Sequence, residues 1–164
     1  TSAIPEPMAP SVQAGARPGA LLAATGVAAV LTGRPFLFPS LGPSAYLLAT
    51  APAAPTSRPR NVLGGHAIGV LAGLLATQLI SPGLVVIDPI APLSPAMGRL
   101  AVSAVVSVAL TTGGMLATGT EHAPACATTL IVSLGLLSTP TDGVIVLAAV
   151  GLLLATDALV PVRA

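Results

Sequence analysis

The chain has 164 residues, of which 54% are hydrophobic and 7% charged, with a net charge of +1 and a mean hydropathy of +0.95. A soluble domain carries about 25% charged residues, so this chain has too few ionic groups to solvate a globular surface, and its composition places it in a bilayer. No basic run or aromatic-interleaved patch suits a nucleic acid, and the single Cys126 excludes both an intrachain disulfide and a cysteine-rich metal site.

Residues 1–18 contain four prolines and no apolar signal-peptide core. They read as a peripheral or disordered lead-in to one transmembrane domain over 19–164. The first apolar stretch, Ala20–Gly33, is short for a span, which needs about 20 residues, unless it starts near Ala14. Phe36–Ala54 follows, reading FLFPSLGPSAYLLATAPAA. It opens with prolines and small polar residues and only then turns apolar. Proline removes a backbone donor and breaks helices, so this segment reads as a broken or re-entrant helix starting near Pro43. Val62–Ile80 is long enough to span. Ser81–Ala96, with Pro82, Pro89, Pro92 and Pro95, reads as a linker. Leu100–Thr118 is the next span. His122–Leu137, HAPACATTLIVSLGLL, repeats the broken pattern with its helix starting near Pro124, and Val144–Val160 is the last span.

This order predicts an all-α polytopic membrane protein made of two pseudo-repeated halves, about 19–80 and 97–161. Each half is a span, a broken or re-entrant helix and a second span. Leu31-Thr32-Gly33 before the first break echoes Ala117-Thr118-Gly119 before the second. If the broken segments do not cross, the six arginines divide three to three across the membrane. If both cross and the N-terminus is inside, Arg17, Arg58, Arg60 and Arg163 lie inside, against Arg34 and Arg99 outside. The positive-inside rule favours the second case. Three crossings per half invert one half relative to the other, a recurrent transporter plan with discontinuous helices at the midplane.

Polar residues inside apolar spans are costly and are candidates for function. Ser40, Gly42 and Ser44 flank Pro43, where a helix start would present free N–H groups and a positive dipole end to an anion; Ser40 or Ser44 could equally cap that helix. Thr120, His122 and Thr128 surround Pro124 in the same design. His122 can donate to an anion or bond a backbone carbonyl. Glu121 is expected at an interface or paired with Arg58 or Arg60. Arg60, Asn61 and His66 form a series that could draw an anion inward at the start of a span, while Arg58 and Arg60 serve equally as positive-inside anchors, and Gly64 and Gly65 allow close helix contact. His66 serves equally as a helix–helix hydrogen bond. Asp157 is expected near an interface, and Gly69 and Gly73 form a small-residue packing face. No nucleophile–histidine–acid series, phosphate-loop glycine signature or convincing metal set is present, so neither an enzyme nor a cofactor is expected.

The run from Phe38 to Gly73, FPSLGPSAYLLATAPAAPTSRPRNVLGGHAIGVLAG, and residues 118–131, TGTEHAPACATTLI, resemble the HPP family of integral membrane proteins. Pro59–His66, PRNVLGGH, carries much of the resemblance. His122-Ala123-Pro124 aligns with the family's His-Pro-Pro motif, with Ala123 in place of the first proline. The resemblance implies about four transmembrane helices and, from plant-chloroplast and cyanobacterial members, nitrite transport. The expected function is therefore movement of a small inorganic anion, nitrite first, by a homo-oligomer in a bacterial plasma (inner) membrane. Binding would use Ser40, Gly42, Pro43, Ser44, Arg60, Asn61, His66, Thr120, His122, Pro124 and Thr128. The alternatives are an anion channel of other selectivity and a membrane sensor or assembly subunit without transport.

Overall fold

The computed structural model describes residues 9–160. Six α-helices follow one another: α1 (Ala9–Thr32), α2 (Leu41–Thr50), α3 (Pro59–Ile80), α4 (Pro95–Thr118), α5 (Pro124–Ser133) and α6 (Pro140–Leu159). A 3-10 turn, Pro55–Ser57, precedes α3, and there is no strand among the described residues. Four helices are long and apolar enough to cross a membrane: α3, α4, α6, and α1 over Gly15–Thr32. At 1.5 Å per residue, a helix of 20 residues covers the ~30 Å hydrocarbon core. α2 and α5 have ten residues each and reach about half of it.

Proline and glycine punctuate these helices as their backbone chemistry requires. α3, α4, α5 and α6 all begin with proline, whose missing N–H is unpaired there anyway. Ser94 caps α4 by accepting from the Met97 N–H, and Thr139 and Asp142 form a reciprocal capping box on α6. α4 ends at Gly119, whose φ of 61° is the left-handed conformation that glycine adopts without penalty.

One sequence expectation is corrected. Residues 9–18, read as lead-in, belong to α1, which runs through Pro18 without breaking. Proline is tolerated in membrane helices where neighbours satisfy the freed backbone, and the adjacent Arg17 ties this turn to two other helices. Residues 1–8 of the lead-in and 161–164, with Arg163, lie outside the described residues. α2 begins at Leu41, near Pro43 as expected, and a proline in the first turn forfeits no helical hydrogen bond.

α3 lies at the centre, against α4, α5, α6 and the 3-10 turn, while α1 packs on α2 and α6. Two kinds of packing result. Leu21 (α1), Leu41, Ala45 and Leu48 (α2), Val70 (α3), and Val146, Val150 and Leu153 (α6) form an apolar cluster. On the other side of α3, glycines admit α5. A Cβ on Gly69 would lie 2.8 Å from the Ala125 carbonyl oxygen, and one on Gly73 2.7 Å from Val132 Cβ. The small-residue face of α3 thus has its partner inside the chain. Hydroxyl groups finish this contact: Thr77 donates to the Val132 carbonyl, Ser103 to the Ser133 carbonyl, and Thr111 bonds Thr129 at 2.7 Å.

Candidate functional site

The two short helices meet by their first turns, against the middle of α3. Ser40 Oγ lies 2.6 Å from Thr128 Oγ1, which is 2.7 Å from His66 Nδ1. Ser44 Oγ is 3.0 Å from His66 Nε2 and 2.9 Å from His122 Nε2. His122 Nδ1 donates to the Thr56 carbonyl at 2.8 Å. The two imidazole rings are tilted against each other with centroids 5.2 Å apart. Ser40, Ser44, His66 and Thr128 are fully buried, and His122 is 1% exposed.

Local sequence explains why these five converge. Ser40 and Ser44 are four residues apart at the start of α2, so they stack on one helix face. His66 is one residue beyond the Gly64–Gly65 pair. A Cβ on Gly65 would lie 3.0 Å from His122 Cβ, and one on Gly64 2.8 Å from Thr120 Cγ2, so the absence of side chains there brings the α4–α5 connection onto α3. Thr128 is one turn into α5, below Pro124.

Other expected site residues are placed differently. Pro43 is exposed and Gly42 half-buried, with open space beside its Cα. Arg60 is exposed and donates to the Thr118 carbonyl, while Asn61 donates to the Gly119 and Glu121 carbonyls. These two residues staple the end of α4 and do not touch the cluster. Thr120 bonds Thr118 across the turn. Pro124 is buried as the first residue of α5. Ser40 makes no side-chain cap on α2.

The free N–H groups expected at the two helix starts are also engaged. Leu41, Gly42 and Ser44 donate to the Phe38, Pro39 and Ser40 carbonyls; Ala125 and Cys126 donate to the His122 and Ala123 carbonyls. A tight turn precedes each helix and absorbs its amides. The polar chemistry therefore resides in hydroxyls and imidazoles. Among the described residues, no group of three His, Cys, Asp or Glu side chains is placed to hold a metal ion.

Sequence reasoning missed the Thr56 carbonyl and the pairing of Arg17 with Asp157. Thr56 contributes a backbone carbonyl, which no side-chain pattern reveals. Arg17 and Asp157 form the one ion pair among the described residues, at 2.8 Å, and Arg17 also donates to the Leu48 carbonyl at the end of α2. An arginine and an aspartate near the ends of apolar stretches on opposite ends of the chain were the available signal. Glu121, expected at an interface or paired with Arg58 or Arg60, is exposed, and Arg60 is committed to a carbonyl.

The family model for the HPP transmembrane region matches residues 9–161. Neither the curated proteins nor the solved structures contain a match to this chain. The match spans the four long helices and both short ones, including the PRNVLGGH and TGTEHAPACATT segments that build the cluster. The chain belongs to the HPP family of integral membrane proteins.

Proposed function

We propose that this chain moves a small inorganic anion across the bilayer, with nitrite the first candidate, through the joint where α2 meets α5. Membership of the HPP family suggests a membrane transport role, and the family resemblance implies nitrite. The observation that carries the reading is Ser44, whose hydroxyl touches two buried imidazoles at once, at 3.0 and 2.9 Å. Buried polar groups at membrane depth are expensive and usually serve transport or signalling. Hydroxyl and imidazole N–H donors can turn toward an anion, exchanging neutral hydrogen bonds for charge-assisted ones about twice as strong. Among the described residues no arginine hydrogen-bonds the cluster, so a bound anion is held weakly enough to leave.

The contacts also support halves of opposite sense. The start of α1, the end of α2 and the end of α6 meet at Arg17, and the start of α3 meets the end of α4 at Arg60. The start of α2 reaches back to Thr128 and His66. The segment 33–50 then returns between α1 and α3, and 119–134 between α4 and α6, each as a half-helix with an irregular lead. That is the plan of inverted transporter repeats. Exposed apolar faces on α1 and α4 would be covered by lipid or by further copies in a homo-oligomer of a bacterial plasma membrane.

The test is uptake of nitrite, nitrate and chloride into vesicles containing the purified protein. The reading expects nitrite to enter faster than into empty vesicles. Equal rates for all three anions with and without protein would end it. The closed pattern of hydrogen bonds in the cluster favours a second reading, an assembly subunit in which it only joins helices; that reading expects Ser44→Ala to change stability alone.

A further inference from the structure

The hydrogen bonds around Ser44 have a direction, because one end of the network is fixed. A carbonyl only accepts, so His122 Nδ1, 2.8 Å from the Thr56 oxygen, carries a hydrogen. In the neutral ring Nε2 is then a lone pair, and it accepts from Ser44 Oγ. Ser44 Oγ also lies 3.2 Å from the Ser40 carbonyl, farther than the 2.9 Å to His122 Nε2, so its one hydrogen goes to His122 and the contact with His66 Nε2 runs the other way, with the ring donating. His66 Nδ1 in turn accepts from Thr128 Oγ1, whose oxygen accepts from Ser40 Oγ. The file reads Ser40, Thr128, His66, Ser44, His122, Thr56 carbonyl, with every link between 2.6 and 3.0 Å.

Every side chain in the file can both donate and accept. Asparagine or glutamine would join the helices as well, and the chain uses Asn61 for that at the α4–α5 turn. An amide, however, does not readily pass a proton, whereas a hydroxyl or imidazole does. We propose that this file is a proton relay that loads one proton onto His122, and that the anion crosses together with that proton. The relay stands on the hydrogen bonds alone; its coupling to an anion rests on the transport reading above.

The step balances without a co-reactant. A proton arriving at Ser40 Oγ sends the Ser40 hydrogen to Thr128 Oγ1, and the Thr128 hydrogen to His66 Nδ1. The His66 Nε2 hydrogen passes to Ser44 Oγ, and the Ser44 hydrogen to His122 Nε2. Ser40, Thr128, His66 and Ser44 each gain one hydrogen and lose one. His122 gains one, keeps Nδ1–H on the Thr56 carbonyl and becomes the imidazolium. The four bonds between Ser40 and His122 reverse, and His66 changes from the Nε2–H to the Nδ1–H tautomer. The charge formed is the counter-charge for an anion at Ser44. The ionisable group in ring contact with each histidine is the other histidine. Glu121, next to His122, is exposed, as are Arg58 and Arg60, and Arg60 is bonded to the Thr118 carbonyl.

Two measurements test this on the full chain in lipid. The first is ¹⁵N NMR of the histidine rings, which reads tautomers directly, during acidification with sodium nitrite present from about pH 8 to about pH 4. At the start His66 carries Nε2–H and His122 Nδ1–H; as His122 becomes doubly protonated, His66 switches to Nδ1–H. A different starting tautomer in either ring, a His66 that does not switch, or no protonation of His122 overturns the relay. The second is nitrite uptake into vesicles enclosing a pH-sensitive dye, corrected for empty vesicles. One proton enters per nitrite, and His66→Gln, which keeps a donor toward Ser44 but has no tautomers to exchange, cuts the proton count per nitrite at least tenfold. Nitrite uptake with no accompanying proton overturns the coupling and leaves the transport reading standing. Tautomer switching in a protein that takes up no nitrite supports the relay and defeats the transport reading.

Discussion

The two short helices have the same length and meet at the same joint, but they are held in opposite ways. α5 is seated on the glycines of α3 and bonded by hydroxyls of α3 and α4, with six of its ten residues buried. α2 buries four of its ten, packs through leucines, and has Arg17 on the carbonyls of its last turn. In lipid, burying leucine against leucine gains little over leucine against acyl chains, while close backbone approach and interhelical hydrogen bonds still count. α5 is therefore the fixed wall of the joint and α2 the looser one. The lesson is that an apolar cluster, the mark of a stable soluble core, marks the weaker side of this molecule.

That contrast can be broken from either side. Gly69→Leu drives a side chain into the Ala125 carbonyl and the Thr129 hydroxyl, and should cost about 3 kcal/mol or more, seen as aggregation or a large fall in thermal unfolding temperature in detergent. Arg17→Ala removes the ion pair to Asp157 and the ties to α2. The pair is partly solvated, with side chains 15% and 24% exposed, so the loss should be about 2 kcal/mol, below the figure for a fully buried pair. Amide exchange should then rise in α2 and not in α5, the result that separates the two walls. Ser44→Ala leaves a lone pair of His122 and a donor of His66 unanswered at the joint, and should cost about 1 kcal/mol in the same unfolding assay. Gly42→Ala is the smallest change. Its Cβ meets nothing within 4 Å, and alanine in place of glycine within a helix should add about 0.5 kcal/mol.

Much of this arrangement was legible in the sequence. Three of the four long helices, α3, α4 and α6, follow from apolar length, and the two short ones from Pro43 and Pro124 followed by apolar tails. Ser40, Ser44, His66, His122 and Thr128, read as polar residues stranded in apolar surroundings, do converge. What escaped was whatever backbone geometry decides. The tight turns at Pro39–Ser40 and His122–Ala123 absorb the amides that a bare helix start would expose, and turn geometry is not written in residue type alone. Thr56 acts through its carbonyl, which every residue possesses. Arg60 and Asn61 looked like an anion path by charge and order. Their carbonyl partners lie 58 to 60 residues downstream, at Thr118, Gly119 and Glu121. Arg17 is legible in the sequence as an inside charge, but its tie to Asp157, 140 residues away, is not.

The central claim is that the Ser44 hydroxyl, set between two imidazoles, contacts the anion as it passes. Nitrite uptake by vesicles carrying Ser44→Ala protein tests this most directly, beside Tyr46→Phe on the exposed face of the same helix and matched for folded protein. The account predicts that Ser44→Ala slows uptake at least tenfold, the factor carried by about 1.4 kcal/mol of lost stabilisation, while Tyr46→Phe leaves it unchanged. Equal rates in the Ser44→Ala and unmodified proteins would contradict it.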